Sequence, residues 1–261
     1  MKPQTLNCTD NLNLLNEVLM PERTVRLIEE DIYSVVDGLN HAYQYDGKAV
    51  LYDWVVGSRL YNRLMWGSHP GTYKSFAWQA VSSGLKGPML DAGCGSLLFT
   101  ETAYEKSRRP IIACDESLSM LRRARARLRN SAAGLRDRGI VLVQADIRDL
   151  PFKSSSFETV LMMNVIHHHA SASSLSAKLI DLLTPGGHLY LTSLVSSNRF
   201  IGDLYLRLLS RFGWLAGPRS PYEFKDLLPD ELARTISFRT EGNMAYVTFQ
   251  KGARYARGNI A

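Results

Sequence analysis

A short apolar run, Met89-Leu90, passes through Asp91-Ala92 into Gly93-Cys94-Gly95 and then, near Ser96, into residues that suit a helix. A strand that ends in two glycines at a helix start leaves few folds open. Glycine lets the backbone turn sharply and approach a ligand, and the first N–H groups of a helix are free to face a polar group. The segment is an incomplete dinucleotide fingerprint, because the third glycine of GxGxxG falls on Leu98. Asp91 would also repel a pyrophosphate. Directly or through water, it could instead hold an ammonium group.

The same grammar recurs downstream. Ile111-Ile112-Ala113-Cys114 ends at Asp115, Val141-Leu142-Val143 ends near Asp146, Thr159 to Met163 ends at Asn164, and Leu189 to Thr192 comes after the turn Pro185-Gly186-Gly187. Short buried strands alternating with helical stretches imply βαβ units and a doubly wound, mostly parallel sheet covered on both faces. In such a fold a carboxylate at the end of the second strand, here Asp115, accepts hydrogen bonds from ribose hydroxyls. It could equally cap the helix before Ser117. Asp146 could accept from an adenine amino group with Ile147 packed on the ring, although a lone Asp in a loop is often a turn residue.

Two zones flank this core. Residues 1–84 read as a helical, aromatic-rich cap. Val25, Ile28, Ile32 and Val35 recur at helical spacing after Pro21-Glu22-Arg23, a plausible helix start. Tyr43, Tyr45, Tyr52, Trp54, Tyr61, Trp66, Tyr73 and Trp78 then suit either a packed core or a pocket wall. Leu12, Leu15, Val18 and Leu19 form a stripe fit for a homodimer interface or for packing onto the domain. Residues 85–261 carry the α/β domain. They include an insertion at 198–231, where Phe200, Leu204, Leu208 and Leu209 suggest a helix. Two closing strands are joined around Gly242-Asn243.

The 261 residues, 45% hydrophobic and 21% charged, exclude a disordered chain and suit one large domain with a cap. No apolar run reaches the length of a membrane span, and the first residues lack the block of a signal peptide, so a cytoplasmic protein is expected. Three cysteines, Cys8, Cys94 and Cys114, make neither a disulfide framework nor a zinc spacing, and no metal is expected. Much of the net charge of +6 lies in Arg122, Arg123, Arg125, Arg127, Arg129, Arg136 and Arg138. That row is either the solvated face of a surface helix, with Leu121, Ala124 and Leu128 inward, or a phosphate-binding patch.

MLDAGCGS, IIACDESLSMLRRARARL, VQADIRDLPFKSSSFETVLMMNVIHHH and LLTPGGHLYLTS, in that order, resemble the successive motifs of class I S-adenosylmethionine-dependent methyltransferases. The similarity is greatest to the small-molecule branch that serves quinone and natural-product synthesis. It is strong over about residues 85–195. GNMAYVTFQKG resembles that family's closing strand more weakly. The resemblance implies a Rossmann-like, seven-stranded sheet whose last strand is antiparallel, with S-adenosylmethionine as cofactor. It implies that Asp91, Gly93, Cys94, Gly95, Asp115, Glu116, Met120, Asp146, Ile147 and Asn164 bind that cofactor. Asp91 would take its amino group, Asp115 its ribose, Asp146 and Ile147 its adenine, and Asn164 would lie near the methyl. One position departs from the family, Leu97, where a third glycine is usual. Leucine disfavours the left-handed backbone that glycine tolerates.

His167, His168 and His169 come directly after the fourth strand of this series. His167 or His168 could remove a proton during methyl transfer, or the rings could be structural. Alignment alone also supplies much of the rate when the leaving group is a sulfonium. The segment Asn164-Val165-Ile166-His167 lacks the Asn/Asp-Pro-Pro-aromatic pattern of enzymes that methylate base amines, and no Pro-Cys pair is present. The expected partner is therefore a small organic methyl acceptor, with Tyr52, Tyr61, Trp66, Arg199 and Tyr205 as candidates to line its site. Tyr45-Asp46 and Tyr52-Asp53 resemble tyrosine-aspartate segments of the same branch. Two other readings stand beside this one. The arginine row could hold RNA for methylation, or the chain could be a non-catalytic cofactor-binding protein on the same scaffold, since fold alone does not make an enzyme.

Overall fold

The computed structural model describes residues 8–36, 49–130, 139–229 and 233–252. In chain order its elements begin with α1 (Cys8–Val18), β1 (Arg26–Glu29), β2 (Ile32–Ser34), α2 (Ala49–Gly57), α3 (Arg59–Tyr61) and α4 (Pro70–Val81). Next come β3 (Met89–Ala92), α5 (Glu101–Lys106), β4 (Ile111–Asp115), α6 (Leu118–Arg129), β5 (Ile140–Gln144) and β6 (Phe157–Met163). The chain closes with α7 (Ala172–Leu182), β7 (Leu183–Leu194), α8 (Phe200–Arg211), α9 (Pro221–Lys225), β8 (Ala233–Glu241) and β9 (Met244–Lys251). They form two compact units. One runs to Arg59 and again from His69 to Lys153; the other holds Leu60–Ser68 and the chain from Ser154 onward.

In the first unit the strand order is β1-β2-β5-β4-β3. Strands β2, β5, β4 and β3 run parallel. Their apolar residues Met89, Leu90, Ile111, Ile112, Val141 and Leu142 are buried, as expected of a sheet covered on both faces. The register sets Ala92 against Cys114 and Asp115 against Gln144. Asp91, Asp115 and Asp146 therefore emerge at the same, carboxyl edge. On α6, Leu121, Ala124 and Leu128 face inward as the spacing predicts. Leu15, Val18 and Leu19 of the N-terminal stripe are buried within this unit, and Leu12 is exposed. The Met20 N–H donates to the Pro151 carbonyl at 2.9 Å and the Lys153 N–H to the Val18 carbonyl at 2.8 Å.

The helix expected from Val25, Ile28, Ile32 and Val35 is instead the antiparallel pair β1–β2. Asp31 turns it with φ of 65°, a left-handed conformation that Asp tolerates better than most residues. Ile32, Tyr33 and Ser34 then pair with β5 and are buried. The apolar spacing is real, but an edge strand satisfies it as well as a helix does.

The pair also disposes of the arginine row. Arg122 pairs with Glu29, and Arg125 reaches Glu29 at 3.1 Å and the Glu30 carbonyl at 2.7 Å. Arg129 takes Glu30 at 2.9 Å and Asp31 at 2.7 Å. Arg123 and Arg127 turn to Asp53 of α2. All five arginines of α6 are thus engaged by acids of their own unit, and Arg122 and Arg129 remain exposed to solvent as the surface-helix reading expects. Arg136 and Arg138, like Tyr43, Tyr45 and Asp46, lie outside the described residues, as does the side chain of Tyr52.

In the second unit the strand order is β6-β7-β9-β8. Strand β7 is parallel to β6 and antiparallel to β9, and β8 is antiparallel to β9. The expected closing hairpin turns at Gly242, φ 58°, where a side chain would collide with the Trp66 carbonyl. The Asn243 N–H donates to that same carbonyl at 2.7 Å. Buried Trp66 packs with Leu206 of α8 and with Leu215. The short segment 60–68 is thereby stitched to the final hairpin and to α8. Strands β3 to β9 make up the seven that the resemblance implies; β1–β2 are additional, giving nine among the described residues.

Candidate active site

The loop after β3 is built by its own amides. The N–H groups of Gly93 and Cys94 both donate to the Cys114 carbonyl, at 2.8 and 2.9 Å, and the Gly95 N–H donates to Oδ2 of Asp115 at 2.8 Å. Gly93 and Gly95 have φ of 79° and 53°. A methyl group added at Gly95 would meet nothing within 4 Å, so the space beside it is open. Leu97 also takes a left-handed conformation, φ 61°, and its side chain is 1% exposed. The loop keeps the backbone a glycine would give there and uses the leucine side chain as core.

Asp91 is 2% exposed, and its Oδ2 accepts from the Tyr104 hydroxyl at 2.7 Å. Burial pushes its carboxyl up to about 7; the tyrosine hydrogen bond opposes this and the nearby Asp115 charge adds to it. Burial likewise raises the Cys94 and Cys114 thiols well above their ordinary range. Neither is poised as a thiolate nucleophile.

Asp115 accepts from Gly95 on one oxygen and from the Ser117 N–H on the other, at 2.9 Å. It links the glycine loop to the start of α6, where Ser117 caps Met120. Each carboxylate oxygen has a second lone pair, so the group can still accept from a ligand. Glu116 is raised by burial and by the charges of Asp115 and Asp146. Asp146 caps the next turn through the Arg148 N–H at 2.8 Å and pairs with the Arg148 guanidinium at 2.7 Å. Met120 and Ile147 are buried.

One participant was not legible as such. Asp53, 6% exposed, accepts from the Ser96 hydroxyl at 2.6 Å and from the guanidinium groups of Arg123 and Arg127 at 2.6 and 2.8 Å. These partners hold its carboxyl below the usual range although burial acts the other way. Asp53 therefore fastens α2 and α6 to the glycine loop. The only sequence signal is its place in a Tyr-Asp segment.

The second unit holds the remaining candidates. Asn164 ends β6 with φ of 59°. Its N–H donates to Thr192 Oγ1 at 3.0 Å, and its Oδ1 accepts from that hydroxyl at 3.0 Å. His167 is buried, and its Nδ1 accepts from the Leu194 N–H at 3.2 Å. In that tautomer Nε2 carries the proton. His168 Nδ1 lies 2.7 Å from the Trp214 carbonyl, which can only accept, so this ring has its lone pair on Nε2. Burial lowers both imidazoles below their ordinary value, keeping them neutral. The Ala216 N–H donates to the His167 carbonyl and Arg219 to that of His169, so the histidine segment also anchors residues 214–219.

Tyr61, Trp66 and Tyr205 do come together. Tyr61 meets Trp66 and Tyr205 edge-on, with centroids at 6.2 and 6.5 Å, and Trp66 lies 5.3 Å from Tyr205. The Arg199 guanidinium covers Gly67, where any side chain would collide with it. Among the described residues no group of three or more His, Cys, Asp or Glu could hold a metal.

The chemistry of the donor set discriminates between ligands. Of the loop N–H groups that a pyrophosphate could use, those of Gly93, Cys94 and Gly95 are spent on Cys114 and Asp115. The side chains at the carboxyl edge of the sheet are hydrogen-bond acceptors, Asp91, Asp115, Glu116 and Asp146, of which Asp91, Asp115 and Asp146 already accept from Tyr104, from Gly95 and Ser117, and from Arg148. Such a set fits a ligand rich in donors and positive charge, with an ammonium group, ribose hydroxyls and an exocyclic amine. S-adenosylmethionine has all three.

Residues 90–191 match the Methyltransferase domain family. An uncharacterized chloroplastic methyltransferase of Arabidopsis thaliana is 33% identical over 55% of this chain and 42% of its own length. A ubiquinone biosynthesis O-methyltransferase of Nitrobacter winogradskyi is 27% identical over 64% of this chain and 60% of its own. The chain spans from 40% to 51% of three curated methyltransferases that it matches. In fold it is similar to phosphoethanolamine N-methyltransferase 2 of Haemonchus contortus, solved with S-adenosyl-L-methionine. That likeness has a TM-score of 0.63 and 15% identity, over 81% of this chain and 58% of that one.

Proposed function

We propose, from the match of residues 90–191 to the Methyltransferase domain family, that the chain is a class I S-adenosylmethionine-dependent methyltransferase and transfers a methyl group to a small organic molecule by in-line displacement at oxygen, nitrogen or carbon. The observation that carries this reading is an edge of acceptors, Asp91, Asp115, Glu116 and Asp146, together with a glycine loop in which the Gly93, Cys94 and Gly95 amides are already engaged. It favours a cationic nucleoside over a dinucleotide.

In this reading Asp91 holds the ammonium group, Asp115 the ribose, and Asp146 the adenine amine, with Ile147 and Met120 on the ring. Gly93 and Gly95 let the backbone come close, with Cys94 between them, and Glu116 adds to the acceptor edge. Asn164 is fixed by Thr192 and positions the reacting end. When bound, S-adenosylmethionine supplies an electrophilic methyl on a good leaving group. The chain's task is then to align the nucleophile and exclude water. His168 is the better placed of the two histidines to take a proton, because its lone pair lies on Nε2. Tyr61, Trp66 and Tyr205 offer apolar, planar surface to the methyl acceptor, and Arg199 a charge for an anionic group on it.

Calorimetry with S-adenosylmethionine, S-adenosylhomocysteine and NAD tests the cofactor. Binding of the two sulfur nucleosides and not of NAD is expected; binding of NAD alone would overturn the reading. A labelled methyl group offered with panels of small phenols, amines and carboxylic acids then tests transfer.

A further inference from the structure

Helix α8 is apolar on two sides. Its inner side, with Leu206 buried and Tyr205 and Leu209 packed beside it, joins the cluster around Trp66 and Leu215. Its outer side leaves Phe200, Ile201, Leu204 and Leu208 exposed. Phe200, Leu204 and Leu208 are four residues apart, so they form one stripe, and Phe212 continues it past the helix end. Phe200 is 82% exposed and Phe212 68%. Trp214 and Tyr222 extend the exposed aromatic surface of the same unit. A contiguous apolar face of this kind on a protein surface marks something that covers it.

The charges beside the stripe identify the cover. Arg207 and Arg211 border it on α8, and Arg199 precedes it; all three are exposed, and none is paired with a carboxylate among the described residues. Residues 199–222 hold four arginines and one aspartate. That aspartate, Asp203, is already engaged by the Ser197 N–H at 3.0 Å and by Asn243 at 2.7 Å. A second copy docked through this face about a twofold axis would set arginines against arginines. An acidic lipid surface instead matches both features, an apolar stripe with aromatic ends and cations at its border. No described helix is long and apolar enough to cross a membrane, so this one would lie in the interface.

We infer that the outer face of α8 docks the chain onto anionic bilayer surfaces, with Phe200, Leu204, Leu208 and Phe212 entering the acyl boundary and Arg207 and Arg211 meeting the headgroups. This inference stands on the surface alone and does not depend on methyl transfer.

The test is co-sedimentation of the full chain with vesicles of phosphatidylcholine containing phosphatidylglycerol, against vesicles of phosphatidylcholine only, at low and high salt. Binding to the anionic vesicles, weakened by salt, is expected. The triple variant Phe200→Ser, Leu204→Ser, Phe212→Ser should bind at least about tenfold more weakly. The pair Arg207→Glu and Arg211→Glu should remove the preference for anionic lipid. All these side chains are exposed, and an unchanged circular dichroism spectrum confirms folding. Failure of the parent chain to sediment with anionic vesicles, or equal binding by the triple variant, overturns the inference. So does a dimer seen by light scattering that the triple variant abolishes while vesicles capture nothing. Calorimetry with S-adenosylmethionine reports on the methyl-transfer reading separately.

Discussion

The Tyr104 hydroxyl donates to Oδ2 of Asp91 at 2.7 Å, and it does so where the carboxyl is almost fully buried and raised to about 7. A carboxyl whose folded value lies above its ordinary 3.8 favours the protonated form. The stability it contributes is complete below about 3.8 and is lost as pH rises to about 7. An ammonium group placed beside it reverses that preference. Binding of S-adenosylmethionine at about pH 6 should therefore release a proton, and affinity should rise towards pH 7. Calorimetry in buffers of differing ionisation enthalpy reads this directly, and a heat independent of buffer would remove the assignment. Tyr104→Phe takes away the bond that lowers the carboxyl, and should move the pH dependence upward.

Asp53 is the one carboxylate shared by Ser96, Arg123 and Arg127. Asp53→Asn leaves two part-buried guanidinium groups without that carboxylate, which should cost about 2–4 kcal/mol of stability. Because Ser96 belongs to the glycine loop, affinity for S-adenosylmethionine should fall as well. Denaturant unfolding and calorimetry check the two effects. Asp53 is held below its ordinary value, so its contribution is present above about pH 3.8 and disappears as pH falls further. A variant as stable as the parent would show that the three contacts contribute nothing net.

Leu97 carries both a left-handed backbone and a buried side chain. Leu97→Gly relieves about 1–2 kcal/mol of backbone strain. It also removes a core leucine, whose truncation costs about 2–5 kcal/mol. The variant should be less stable by about 1–3 kcal/mol and still bind S-adenosylmethionine within about threefold of the parent. A gain in melting temperature would mean that strain outweighs packing here.

His168 is held neutral, with Nδ1 donating to Trp214. In its proposed role as base, His168→Gln should lower kcat by about a hundredfold, leave KM nearly unchanged, and abolish the acid limb of the pH profile below 6.5. An unchanged kcat would assign the ring to holding residue 214 in place.

The features legible in the sequence are those decided locally. Asp91, Asp115 and Asp146 close short apolar strands, and Gly242-Asn243 joins two runs of strand character, so chain-neighbour chemistry sufficed. The segment from Val25 to Val35 misled because its turn is made by Asp31, a residue with no glycine to mark it. Asp53 and the arginines of α6 could not be paired in advance. Their partners lie far along the chain, and sequence alone offered only solvent or phosphate as company for so many cations. Tyr61, Trp66 and Tyr205 could be grouped as one lining, but the ring cluster they form, with Tyr61 edge-on to the other two, was not legible. It depends on Trp66 being fixed by Asn243, a contact no spacing rule foresees.

The acids of β1–β2 and Asp53 have one more effect. The longest basic run in the sequence is electrically quiet where it is described, because each guanidinium of α6 already has an anionic or carbonyl neighbour. Retention on a polyanionic column such as heparin would then owe more to the shorter trio Arg199, Arg207 and Arg211 than to the five arginines of α6. A chromatogram would rank the two arginine groups opposite to their order of abundance.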